Sequence, residues 1–306
     1  MSTDIVQSLP QSPGVWKQAW IRLKTDKVGM VSLYVTLFFI VLVLAAQLGL
    51  VARDWQKEVG VPFAAPTLVG KIADGTQNAI VETVTGPNVD ISDVDPLASR
   101  YKEWDERSAQ FKTTVTVKAD TLPFGADQQG RDVFSKVIKG AQVSITVGLT
   151  AALFATLIGT ILGAIGGYFG GRVGDFLEWV YNVFTAIPYI LLVFALAAVL
   201  KSGPLASTLG SGVWTVVIIL SLVGWTGIYR LVRAEYMKHR SREYVMAAEA
   251  IGASNASRMF THILPNISHV VLVQLSLHVV GFIKAEVILS YLGLGVPIDM
   301  VSWGTM

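Results

Sequence analysis

Charged side chains disappear from this chain for long stretches, and that pattern sets the architecture before any motif is considered. Val28 to Ala52 holds no charged residue over 25 positions. As a helix this run would span about 37 Å at about 1.5 Å per residue, more than the roughly 30 Å of a bilayer core. Gly140 to Gly171, Trp179 to Leu200, Ser202 to Tyr229 and Pro265 to Ile283 repeat the pattern, so five transmembrane helices are expected. Stretches such as LYVTLFFIVLVLAAQLGLV (Leu33 to Val51) are apolar on every side instead of alternating with period two. Helices, not barrel strands, satisfy such a backbone in lipid. The expected fold is an all-α, polytopic membrane protein.

The polar segments between the runs set the organisation. Residues 1–27 form a leader, 28–52 the first span, 53–139 an extended external insert and 140–306 a core that includes a loop at 230–266. The leader carries Lys17, Arg22, Lys24 and Lys27 against Asp4 and Asp26, which places the N-terminus in the cytoplasm by the positive-inside rule. Within it, Trp16, Trp20 and Leu23 fall near one face, the pattern of a helix lying on the lipid bilayer. The 53–139 segment holds 11 basic and 13 acidic residues, which suits the outside, and its turn residues and short alternating runs such as FKTTVTV favour a small external domain or ordered elaboration over bare linker. The 230–266 loop is basic again through Arg230, Arg233, Lys238, Arg240, Arg242 and Arg258, and returns the chain to the cytoplasmic side.

Composition narrows the chemistry. Of 306 residues 52% are hydrophobic and only 15% charged, against roughly 25% charged in soluble domains. There is no cysteine and the four histidines are scattered, so neither a thiolate nor a histidine metal site is expected. A net charge of +2 gives no field for nucleic acid. No Gly-x-x-x-x-Gly-Lys-Ser/Thr loop is present to cradle ATP phosphates, so no cofactor is expected on this chain. Asp127, Arg131 and Asp132 stand before a span without a catalytic constellation and read as capping and salt-bridging groups; the chain by itself is not expected to be an enzyme. Asp175 and Glu178 read as boundary charges, and Trp179, Tyr181, Trp225 and Tyr229 as interfacial aromatics.

Three groups of residues carry specific expectations. Gly159, Gly163, Gly167 and Gly171 recur every four residues and line one helix face that a second helix can approach closely. Lys284 and Glu286 flank the end of the fifth span and are read as boundary or pathway-gate residues. In the cytoplasmic loop, Tyr244, Ala247, Ala248 and Ile251 fall at i, i+3, i+4 and i+7, a helical face of mostly small side chains suited to docking. Gly252 interrupts that helix, Ser254 can cap a second short one, and Pro265 restricts entry into the next span.

The stretch EYVMAAEAIGASNASRMFTHILPN resembles the EAA-motif loop in membrane subunits of ATP-binding-cassette importers, and in particular the C-type permease subunit of the dipeptide and oligopeptide (peptide/nickel) uptake family. Ala247, Ala248, Gly252, Leu264 and Pro265 match the motif, while Met246 replaces its glutamate and His262 its isoleucine. FGADQQGRDVFSKVIKGAQVSITVGL (Phe124 to Leu149) and LSYLGLGVPIDMVSWGTM (Leu289 to Met306) resemble two further family blocks. The resemblance implies a type I importer permease of the bacterial inner membrane, with a sixth span expected after the SWG block, beyond the last residue here. It implies a homologous B-type permease as the other half of the pathway, two cytosolic ATPase subunits that hold ATP and Mg, and an external substrate-binding protein. Tyr244 to Ser257, with Glu249 and Ala253 among them, would then seat on an ATPase and form a coupling helix within the 241–265 loop. An ATP-independent secondary transporter or channel subunit is the competing reading, though it calls for charged residues near a span midpoint that this sequence scarcely offers.

Overall fold

A computed structural model describes residues 15–70, 96–97, 100–110, 118–202, 212–297 and 299–306; the FKTTVTV run at 111–117 lies outside them. The chain divides into two compact units, one of residues 1–53 with 137–306 and one of residues 54–136.

The first unit begins with α1 (Val15–Thr25) and α2 (Lys27–Gln47). Asp26 separates them in an extended conformation, and its carboxylate accepts the Val28 amide at 3.0 Å to cap α2, a bond whose loss typically costs about 1 kcal/mol. With a mean hydropathy of 2.6 and 6% of its span buried, α2 leaves nearly its whole surface for lipid.

The centre of this unit is α7 (Val213–Arg240), packed by α4 (Val133–Phe169), α6 (Tyr189–Ser202) and α9 (Asn255–Tyr291). Val147, Ala151 and Ala155 of α4 meet Val216 and Leu220 of α7, with Val193 and Ala197 of α6 and Phe282 and Leu289 of α9 completing the cluster. Small side chains set the spacing. A β-carbon at Gly159 would overlap Ile228, one at Gly163 would lie 2.8 Å from the Tyr229 carbonyl oxygen, and one at Gly167 2.5 Å from that of Arg233. Gly171 falls outside this face: α4 ends at Phe169, and Gly171 opens the next helix at φ +49 with open space beside it. A run of four glycines at regular spacing thus splits between two elements.

The expected span from Trp179 to Leu200 is not one straight helix. α5 (Gly171–Ala186) and α6 meet at 91° across Ile187 and Pro188. Proline pushes the preceding residue out of the helical region, and Ile187 accordingly sits at φ −94, ψ 132. Among the described residues, four helices are therefore long and apolar enough to cross a membrane, or five if the bent pair counts as one span.

The 230–266 segment is also more helical than expected. α7 continues to Arg240, α8 spans Glu243–Ala250, and α9 starts at Asn255. Pro265 does not interrupt α9. Residues Arg258–Ile263 form a π turn whose closing bond runs from the Leu264 amide to the Met259 carbonyl, and this wider turn accommodates a proline that has no amide to donate. The helix then runs on to Tyr291, well past Ile283.

The second unit departs from all-α. β1 (Gly60–Pro66) and β2 (Ala119–Leu122) form a two-stranded parallel sheet, with Gly60 opposite Ala119 and Ala65 opposite Thr121, and α3 (Tyr101–Gln110) lies in the connection. Residues 125–130 bond back to β1, through the Ala126 amide to Ala64 and the Gly60 amide to Gly130. Gly130 takes φ +75 in direct contact with the Gly60 carbonyl, a place only glycine fits.

Candidate functional site

α8 and the root of α9 build a compact hairpin on the end of α7. Val245 and Ala248 turn inward and are buried, and Val245 joins Tyr236 of α7 and Met259, Ile263 and Ile267 of α9. Ala248 therefore does not share the outward face. Tyr244, Ala247 and Ile251 do, and Met246 and Ile251 are 52% and 85% exposed. Gly252 reverses the chain at φ +87 with nothing within 4 Å of where a side chain would start, so its requirement is conformational and not steric. The Ala253 amide then bonds the Ala248 carbonyl at 3.0 Å, and the Ser254 hydroxyl accepts the Ser257 amide at 3.2 Å as the cap of α9. Leu264 packs on the buried cluster and Pro265 lies exposed behind the π turn.

Arg258 locks this hairpin, a role its sequence position did not reveal. Its guanidinium pairs with Glu249 of α8 at 2.7 Å, donates to Asn255 Oδ1 at 2.5 Å and lies 5.8 Å from the centre of the Tyr168 ring at the end of α4. The Tyr168 hydroxyl donates to the same Asn255 oxygen at 3.1 Å. These groups, with Phe169, Arg240 and Val245, enclose a cavity of about 280 Å³. One side chain thus ties α8, α9 and α4 together; it is 13% exposed and its partner Glu249 63%, so solvent screens that pair. At the other end of α8, the Tyr244 hydroxyl meets His239 Nδ1 at 2.8 Å, and the Tyr236 hydroxyl donates to the Met259 carbonyl at 3.0 Å. These bonds link the hairpin to the ends of α4, α7 and α9.

Lys284 and Glu286 are separated. Lys284 is exposed, whereas Glu286 is fully buried within α9 and accepts the Ser290 hydroxyl at 2.6 Å. Ser290 Oγ accepts the Val296 amide at 3.0 Å, so Glu286 is bonded through Ser290 to the chain that follows α9. Sequence spacing missed this because α9 runs two turns past Ile283, which puts Glu286 inside the helix and not at its end.

In the second unit Asp132 caps α4 through the Ser135 amide at 3.0 Å and hydroxyl at 2.6 Å. Asp127 pairs with Arg131 and Lys136, each at 2.8 Å. Burial pushes its carboxyl up, but the bonds from Lys136, from the Arg131 amide and guanidinium and from the Gln129 amide outweigh it and hold the pKa down to about 2.

An all-helical membrane unit with a helical hairpin locked onto the ends of its spans is the build of a transport-system membrane component. Residues 143–306 match the family described as binding-protein-dependent transport system inner membrane component, and residues 14–55 match the N-terminal TM domain of oligopeptide transport permease C. The chain belongs to this family, as a C-type permease subunit of its peptide/oligopeptide branch. It is 32% identical over 216 residues to the oligopeptide transport system permease protein OppC of Bacillus subtilis, covering 69% of this chain and 65% of that protein. It is 30% identical over 290 residues to the dipeptide transport system permease protein DppC of the same organism, covering 95% and 72%. A putative peptide permease protein of Brucella ovis is 38% identical over 183 residues, covering 60% and 58%. The chain thus spans less than two thirds of the length of two of these three relatives.

Proposed function

We propose that this chain is one transmembrane half of an ATP-driven importer for peptides or similar small solutes in the bacterial inner membrane, with its N-terminus in the cytoplasm. The arrangement is that of a type I importer permease, with a B-type permease as the other half of the pathway, two cytosolic ATPase subunits and an external binding protein that delivers the solute. Relatives named as oligopeptide and dipeptide permeases support the substrate class.

The observation that carries the reading is the hairpin. Ile251 and Met246 project from a short helix on the basic side of the protein, where water and not lipid is the alternative surrounding. Burying one such side chain in a partner's groove is worth about 1.5–3 kcal/mol. Arg258 makes the hairpin stiff enough to pass that partner's movement into α4 and α9. ATP binding closes the ATPase pair, the closure displaces α8, and the linked helix ends re-aim the spans between outward and inward access. The chemistry of hydrolysis stays on the ATPases, and this chain converts their motion into access.

Affinity purification of the tagged chain from its native membrane tests the reading. ATPase subunits and a related permease are expected to co-purify. Stable solute transport by this chain alone would refute it.

A further inference from the structure

Glu178, Tyr181, Asn182 and Thr185 lie at i, i+3, i+4 and i+7 of α5 and therefore share one face. On an arm of a membrane span such a face is strongly disfavoured against hydrocarbon, and it persists where it lines water or polar partners. α7 answers it: Tyr229, Arg230, Arg233, Ala234 and Met237 close a cavity of about 470 Å³ with those four residues. Glu178 pairs with Arg233 at 2.6 Å. One carboxylate thus faces two guanidiniums, and the cavity keeps one positive charge in excess. Arg233 Nε and the Tyr229 hydroxyl are buried without a partner among the described residues.

The polar lining continues beyond the cavity. Gly227, Arg230, Ala234 and Met237 share an exposed face of α7. A β-carbon at Gly227 would lie 3.7 Å from His278 Nε2 and 3.9 Å from Gln274 Nε2 of α9, and His278 Nδ1 sits 3.3 Å from the Thr156 hydroxyl of α4. Polar groups of α9 thus stand about 5 Å along α7 from Arg230, at the level of Gly227. The groove on another side of α7, lined by Phe154, Ile158, Trp214 and Leu222, is apolar as lipid requires.

We infer that the α5–α7 cavity is a section of the solute path and selects small solutes carrying a carboxylate, which Arg230 receives beside the Glu178–Arg233 pair. This rests on the importer reading above. Arg230 and the Glu178–Arg233 pair give a dissolved ion polar partners, and the excess positive charge favours an anionic end over a neutral one of the same shape.

The chain has no cysteine, so Asn182→Cys and Thr185→Cys each place a single thiol on the cavity wall. The variants are assembled with the partner subunits in nanodiscs and treated with water-soluble methanethiosulfonates, one anionic (ethylsulfonate) and one cationic (ethyltrimethylammonium), with rates normalised to a free thiol. The anionic reagent should react about fivefold faster or more, and trialanine should slow it while trialanine amide does not. Adding Arg230→Gln should abolish the charge preference while both reagents still react. Silence towards both reagents, equal rates, or equal slowing by acid and amide would overturn the proposal. A preference present in phosphatidylcholine and lost when phosphatidylglycerol is added would assign the cavity to lipid headgroups and overturn it too. Charge-selective labelling in a complex without ATP-driven uptake would remove the importer reading and keep the carboxylate site; normal peptide uptake with unreactive thiols would do the reverse.

Discussion

α7 and α9 have nearly the same mean hydropathy, 1.8 and 1.7, yet 67% of the α7 span is buried and only 17% of the α9 span. Hydropathy reports that both can live in a membrane and says nothing about which neighbours they have. The difference lies in small side chains and in ends. α7 is clasped along its length because Gly159, Gly163 and Gly167 bring α4 against its backbone. α9 is held at its root by Met259, Ile263, Ile267 and Arg258, and at its far end by Phe282, Glu286 and Leu289. Between these, Leu272, Val273 and Leu277 are exposed. α7 is a spine, and α9 is a lever fixed at two points.

The largest effect should come from breaking the spine. Gly163→Leu drives a side chain into the Tyr229 carbonyl and Val232, and a loss of about 3–5 kcal/mol is expected. It would be read as a fall in monodisperse yield and thermal midpoint, and an unchanged midpoint would contradict the close approach. Next comes the root of the lever. Arg258→Ala removes the pair with Glu249 and one of the two bonds to Asn255 and, with both partners exposed to solvent, should cost about 1 kcal/mol locally, raising hydrogen exchange in residues 243–257 while α7 stays protected. Equal exchange in both would erase the distinction.

The insert supplies a contrast held by charge instead of packing. Asp127 is depressed to about 2 from 3.8, so its stabilising contribution is complete above about pH 4 and is lost as pH falls through 2. With solvent screening the contribution is on the order of 1–2 kcal/mol. Exchange at residues 119–132 should rise in that acid window, and Asp127→Asn should flatten the response. The smallest effect belongs to the free side of the lever: Leu277→Ala should change the stability of the isolated chain by about 0.5 kcal/mol or less, as measured by its thermal midpoint. A larger loss would mean that this face is packed.

Much of this was legible in the residues. The uncharged runs located α2, α4, α7 and α9, and the EAA-like stretch pointed to the α8 hairpin. Other features depend on information that spacing does not carry. Pro188 breaks a span at 91° while Pro265 leaves one intact, because the second meets a π turn that has no use for the missing amide. Gly171 keeps the four-residue rhythm but falls past the end of α4. Ala248 faces inward because it lies one turn after Val245, which the buried cluster under α8 takes, and Tyr244, Ala247 and Ile251 are left outside. Arg258 read as one more basic residue of a cytoplasmic loop; its lock joins its neighbours Glu249 and Asn255 to Tyr168, which is distant in sequence. Glu178 and Tyr181 read as boundary residues, and only the apposition of α5 and α7 turns them into a cavity wall.

The central claim is that the α8 hairpin passes ATPase motion to the spans, and Gly252 tests it most directly. Its φ of +87 in open space means that valine brings no clash but strains the turn by about 1–2 kcal/mol, enough to re-aim α8 without unfolding the helices beneath it. In the purified complex, Gly252→Val should assemble with its partners and lose substrate-stimulated ATP hydrolysis. Normal substrate-stimulated hydrolysis by the assembled variant would contradict the account.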